Sequence, residues 1–144
     1  LLITESVLRW INTRQTPGER TLKVPDKAVF LDIDAARTKL LLKNLLDNAV
    51  RHTPGDAPAP QIRLITDDQQ AVLTVTDHGH GIEARHLPHL TEPFYRVDPS
   101  RRRETGGYGL GLYLCRMIVE AHDGQLQIES TAGKGTQVTV RLPL

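Results

Sequence analysis

The sequence contains a single cysteine, Cys115. That excludes an internal disulfide and any metal site built from several thiolates. Nothing calls for an oxidising compartment, so a cytoplasmic setting is expected. No stretch approaches the ~18 consecutive apolar residues of a membrane-spanning helix. Neither sign of charge dominates: 18 Lys and Arg against 17 Asp and Glu give a formal net charge of +1. A chain so balanced lacks the broad basic surface expected of a nucleic-acid binder, so no nucleic-acid partner is expected. Internal repeats, low-complexity tracts and a signal-peptide pattern are all missing, and the chain opens on Leu1 rather than Met. It reads as a piece of a longer protein. The six histidines, at 52, 78, 80, 86, 89 and 122, form no metal-ligand spacing, and His78 and His80 are read as non-ligands on a loop.

What is present suits one domain with a real core: 144 residues, 39% apolar and 24% charged. Apolar residues at roughly helical spacing predict a short helix over residues 1–15, stopped by Thr16-Pro17-Gly18. Residues 21–24 and 28–31 are short strand candidates. Asp34 can cap a long helix over 35–52, which Thr53-Pro54-Gly55 ends, because Pro lacks an N–H and Gly accepts positive φ. Alternation predicts strands at 61–66 and 71–76, joined by a turn at Asp67-Asp68, and a closing hairpin of 125–130 with 136–142 around Gly133-Lys134-Gly135. Short and long helices are expected over 83–90 and 110–122. Between them, residues 91–109 follow no period, as a functional or mobile loop would. Helices and strands of this number give an α+β fold with helices on one face of a mixed sheet.

Three segments carry chemistry. In the long helix Asn44, Asn48 and Arg51 stand at i, i+4 and i+7, one face with side-chain bases ~5–6 Å apart. Asn has no helical advantage and a buried, unpaired amide is costly, so a ligand such as Mg²⁺ is one account of the pair and a solvated edge is the other. Next, Asp77-His78-Gly79-His80-Gly81 delivers a carboxylate from a strand into a glycine-broken loop, where it can accept from an exocyclic amine such as that of adenine. Alone, such a pattern reads first as an Asp-started turn. Finally, Gly106-Gly107-Tyr108-Gly109-Leu110-Gly111-Leu112 opens a helix, where freed N–H groups and the positive helix end favour phosphate. It lacks the closing Gly-Lys-Ser/Thr of the P-loop, and no strand precedes it as in a dinucleotide fingerprint. Phe94-Tyr95 can anchor the neighbouring loop by burial or be ordinary core aromatics, Arg101–Arg103 can meet phosphate or be a solvated run, and Cys115 is expected in the core.

Taken in order, these segments resemble the catalytic ATP-binding domain of bacterial sensor histidine kinases, in the superfamily shared with gyrase, mismatch-repair ATPases and one chaperone class. The resemblance runs from about Val24 to Leu144. It rests on an asparagine box (Asn44 to His52), a first glycine box (Asp77 to Gly81), a phenylalanine box (Glu92-Pro93-Phe94-Tyr95-Arg96), a second glycine box (Gly107 to Leu112) and a last glycine element (Gly133-Lys134-Gly135-Thr136). It implies a two-layer α/β sandwich of the Bergerat type, with a mixed, mostly antiparallel sheet and about three helices on one face. Residues 1–18 would be the remnant of an upstream helix or linker, and 19–144 the catalytic domain. Carried over by position, Asn48 would ligate Mg²⁺ with Asn44 assisting, Arg51 and Arg101 would lie near the phosphates, and His52 against the adenine. Asp77 would bond the adenine amine, with Gly79, Gly81, Ile82 and Thr136 nearby. Gly107, Tyr108, Gly109, Leu110, Gly111 and Leu112 would line the phosphates. The sequence departs from the family pattern at His52, where Tyr is frequent, and at Tyr108, where a small residue is common.

The resemblance implies phosphoryl transfer from ATP·Mg²⁺ to a histidine of a separate dimerisation domain, and then to a response regulator. Superfamily members that hydrolyse ATP carry a Glu one turn before the metal Asn. Here that residue is Asn44, and an amide takes no proton near neutral pH. No histidine has the acceptor context, since His52 precedes Thr53-Pro54 and His86 precedes Leu87-Pro88. The acceptor is thus expected outside this chain. The parent is expected to be a homodimer in the bacterial inner membrane, with this domain cytoplasmic and monomeric when alone. An ATPase, or a nucleotide-binding interaction module without kinase activity, is the alternative within the same superfamily.

Overall fold

A computed structural model describes residues 34–58, 60–67, 69–95 and 111–143, and the backbone of 21–23. The expected helix over 1–15, the strand over 28–31 and the segment 96–110 lie outside the described residues. The elements are β1 (Thr21–Lys23), α1 (Ala35–Arg51), β2 (Gln61–Thr66), β3 (Gln70–Asp77), a 3-10 helix (Ala84–His89), α2 (Gly111–Ala121), β4 (Gln125–Thr131) and β5 (Gly135–Pro143).

The strands form one five-stranded sheet in the order β1-β2-β3-β5-β4. Only the β1–β2 pair is parallel. Period-two alternation does the sorting: in β3, Ala71, Leu73, Val75 and Asp77 are buried while the residues between them are half-exposed. Register then lines up rows across four strands. Leu64, Leu73, Val140 and Leu126 make one row, and Ile62, Val75, Val138 and Ile128 the next. These rows are the floor of the core. One step further along the same face stand Asp77, Thr136 and Ser130, where the row turns polar.

α1 is capped as its sequence requires: Asp34 Oδ1 accepts from the Arg37 N–H at 2.9 Å. It buries Thr38, Leu41, Leu42, Leu45, Leu46 and Ala49, a stripe at helical spacing. α2 buries Cys115, Ile118 and Val119 against the same core. The two helices run antiparallel. Gly111 begins α2 beside Asn44, the Cys115 thiol lies 3.8 Å from the Leu41 carbonyl, and His122 Nε2 lies 3.4 Å from the Asp34 N–H. Burial pushes the Cys115 thiol up to about 12, so it packs as a small apolar group. The architecture is the α+β, mixed and mostly antiparallel sandwich the sequence predicts.

Two local details differ from expectation. The segment expected as a short helix over 83–90 is a 3-10 helix, because Pro88 within it has no N–H for an α-helical ladder. Phe94 is not an anchor: it is 71% exposed, with φ at 66°. Tyr95 takes the inward seat instead, with its hydroxyl 2.5 Å from His86 Nδ1 and its ring stacked on His89. At the β2–β3 turn, Asp67 Oδ1 accepts from the N–H groups of Gln69 and Gln70, and these bonds hold its carboxyl below the usual range.

The buried stripe of α1 makes a direct prediction. Leu45 is 2% exposed and Leu40 is 41% exposed. Leu45→Ala should cost about 2–5 kcal/mol and Leu40→Ala about 0.5 kcal/mol or less, measured by urea unfolding. Equal costs would contradict the assigned helix face.

Candidate functional site

The polar end of the sheet is built around Asp77, which is 3% exposed. Its Oδ1 accepts from two backbone N–H groups, Gly79 at 3.0 Å and Thr136 at 3.2 Å. Among the described residues no donor reaches Oδ2. One oxygen therefore fixes the carboxylate, and the other is presented. Thr136 and Ser130 continue the row with their hydroxyl oxygens 2.9 Å apart. Ser130 Oγ donates to the Gly135 carbonyl at 2.9 Å and accepts from the Ile82 N–H at 2.8 Å. The strand end, the loop after it and the β4–β5 turn are thus tied into one unit. Gly79 is required here by contact, since a Cβ at that position would stand 1.9 Å from the His52 carbonyl oxygen. This close approach joins the loop to the end of α1.

α1 contributes its amide-bearing edge. Asn44 and Asn48 are half-buried beside the apolar stripe, with Arg51 exposed and His52 as the C-cap. Asn44 Nδ2 is buried without a hydrogen-bond partner among the described residues. An orphaned amide of this kind marks a place where a further polar group belongs. Gly111 starts α2 alongside, with its Cβ position 3.7 Å from Asn44 Oδ1. The start of α2 and the Asn44 amide therefore share one corner. Among the described residues no three His, Cys, Asp or Glu side chains gather as a metal cage. The donor set here is two amides, which suits a hard cation that keeps most of its waters and shares phosphate oxygens.

The structure brings the sequence-selected residues into two adjoining groups. His52, Asp77, Gly79, Gly81, Ile82 and Thr136 lie around the sheet end, Asn44 meets Gly111 at the start of α2 with Leu112 next in the chain, and Asn48 stands one turn further along α1. Arg51 stands on the last turn of α1, exposed to solvent. Arg101, Gly107, Tyr108, Gly109 and Leu110 lie outside the described residues. Two participants were not selected from the sequence. Ser130 becomes visible only through its register with Thr136. His80, a non-ligand by its sequence context, has its ring edge-on to that of His52, with centroids 5.7 Å apart.

His52 is held below its ordinary 6.5, first by burial, with the nearby His80 and Arg51 adding to the effect and Asp77 opposing it. As pH falls below 6.5, the unfolded chain takes a proton here before the folded chain does. This contribution to stability is therefore complete above 6.5 and is lost as pH falls through that value toward the lower folded one. Urea midpoints at pH 7.5 and 5.5 should fall further for the native chain than for His52→Gln. The same drop in both would contradict the buried, neutral imidazole.

Comparison with known proteins gives the family. Residues 33–144 match the family described as histidine kinase-, DNA gyrase B- and HSP90-like ATPase. The phosphate regulon sensor protein PhoR of Pseudomonas aeruginosa is 44% identical over 112 residues, 78% of this chain and 25% of that protein. The sensor protein SrrB of Staphylococcus aureus is 41% identical over 113 residues, 76% of this chain and 19% of that protein. The chain thus spans about a quarter or less of the length of these relatives. A structure of the mycobacterial sensor histidine kinase MprB superposes with a TM-score of 0.80 and 27% identity, covering 99% of this chain and 95% of that one. The chain belongs to the histidine kinase-, DNA gyrase B- and HSP90-like ATPase family, as an ATP-binding catalytic domain of the sensor-kinase kind.

Proposed function

We propose that this domain, extending over about residues 19–144, supplies the kinase step of a two-component sensor protein. It transfers the γ-phosphoryl group of ATP to a histidine on a separate dimerisation domain, from which it passes to an aspartate of a response regulator. The observation that carries the reading is the divided role of Asp77. Its Oδ1 is occupied by the Gly79 and Thr136 N–H groups, and its Oδ2 has no donor among the described residues. That is an acceptor of fixed direction, suited to the exocyclic amine of adenine.

The other roles follow from place. His52, neutral at pH 7, offers an imidazole face to the base. Asn48 and Asn44 would hold Mg²⁺ through their amide oxygens, and the Nδ2 of Asn44, a donor without a partner among the described residues, would suit a phosphate oxygen at that corner. A Mg²⁺ ion bound there would supply neutralisation of the phosphate charge. Arg51, at the exposed end of the same helix, can reach phosphate from solvent. Gly111 begins a helix whose first N–H groups favour phosphate oxygens, and the same role is proposed for Gly107, Gly109 and Leu110, with Arg101 and Tyr108 beside them. The position one turn before Asn48 holds Asn44, an amide, which takes no proton from water. Positioning and charge neutralisation are what these residues contribute to transfer. The parent is proposed to be a membrane-bound homodimer with this domain on the cytoplasmic side. Among the described residues no helix is long and apolar enough to cross a membrane.

The 144-residue chain should bind ATP, more tightly with Mg²⁺ than with a chelator, and should not label itself. Mixed with a dimerisation domain carrying an acceptor histidine, it should transfer labelled phosphate to that domain. Acid-labile phosphate on any of its own six histidines would overturn the reading, as would steady release of inorganic phosphate without an acceptor.

A further inference from the structure

His80 is left without a role by the ATP-binding reading, yet its backbone is among the most constrained in the site. On one side, Gly79 is packed against the carbonyl of His52 at the end of α1. On the other, Gly81 has φ at 70°, and a Cβ there would stand 2.1 Å from the Thr131 carbonyl oxygen. The His80 carbonyl itself accepts from the Gly133 N–H at 2.6 Å. Residues 79–81 are therefore clamped between the end of α1 and the β4–β5 turn.

The side chain is treated oppositely. It is exposed, and among the described residues no hydrogen bond or ion pair engages its ring. Among the described residues its ring contact is with His52, with centroids 5.7 Å apart and planes at 65°. A fixed main chain thus holds an uncommitted aromatic ring at the rim of the site, three residues from the presented oxygen of Asp77. Two imidazoles at this angle form a corner with faces in two directions. A flat heterocycle can pack on one face while its edge meets the other.

We propose that His80 is a base-positioning residue, which with His52 forms a two-imidazole corner for the purine ring while Asp77 Oδ2 takes its exocyclic amine. The proposal rests on the ATP-binding reading and adds a residue to its base-recognition end. A ring that stacks on the base acts on the base alone, so its removal should weaken adenosine and ATP by the same factor. An imidazole that met the phosphates would weaken ATP only.

The test is displacement of a fluorescent ATP analogue by ATP and by adenosine, using the native chain, His80→Ala, His80→Phe and Asp77→Asn. His80→Ala should weaken both ligands about tenfold, and His80→Phe should restore most of the loss, since either ring stacks. Thermal unfolding without nucleotide should be unchanged in both His80 variants. Three results would overturn the proposal: native affinity in His80→Ala, loss of ATP but not adenosine binding, or no recovery in His80→Phe. If the native chain binds ATP and Asp77→Asn binds it poorly while His80→Ala is unaffected, only the role of His80 fails. If the native chain binds neither ligand, the ATP-binding reading fails with it.

Discussion

The pairing of Asp77 with Thr136 at the end of the β3–β5 ladder is the constraint on which the site depends. It does two things at once. The ladder brings the Thr136 N–H to Asp77 Oδ1, and its period of two turns the carboxylate toward the helix layer. A slip of one residue would send Leu73 and Val75 to the open face and take Asp77 with them. The apolar rows that fix the register therefore fix the acidic residue too. Core packing and base recognition are successive steps along one strand face.

The helix layer meets this sheet end through two close approaches. His52 caps α1 and presents its carbonyl to Gly79, where only glycine fits. Asn44 faces the start of α2, where the Gly111 position lies against its amide. Between these two points α1 changes character across its own width. Leu41 and Leu45 go to the core, while Asn44 and Asn48 line the adjoining edge. That arrangement leaves a buried amide unpaired, at a cost of about 1–3 kcal/mol for such a group. A ligand that supplies an acceptor to this amide would regain the cost on binding.

Much of this was legible in the sequence, for identifiable reasons. The strands at 61–66 and 71–76 and the helix from Ala35 announce themselves by period, cap and stop signals, and the observed ends agree with the expected ones to within a residue. Five short boxes in order, among them the spacing of Asn44 and Asn48 and the glycines after Asp77, carry the family resemblance. Contacts between distant segments were not legible. The edge-on meeting of His52 and His80, and the bond from Ile82 to Ser130, join positions 28 and 48 residues apart. Phe94 misled because burial is the usual fate of an aromatic. A left-handed backbone there turns the chain so that its neighbour Tyr95 faces His86 instead.

The measurement that bears most directly on the account is a thermodynamic cycle that crosses one substitution, at Asp77, with one change of ligand. The native chain and Asp77→Asn are titrated with ATP and with its analogue carrying a carbonyl in place of the exocyclic amine. In the variant, the Gly79 and Thr136 N–H groups will claim the amide oxygen, so an NH₂ donor should stand where Oδ2 stood. The account predicts that the native chain prefers the amine by about tenfold or more, and that Asp77→Asn loses or reverses this preference. An equal loss for both nucleotides, leaving the preference unchanged, would contradict the central claim that Asp77 reads the base.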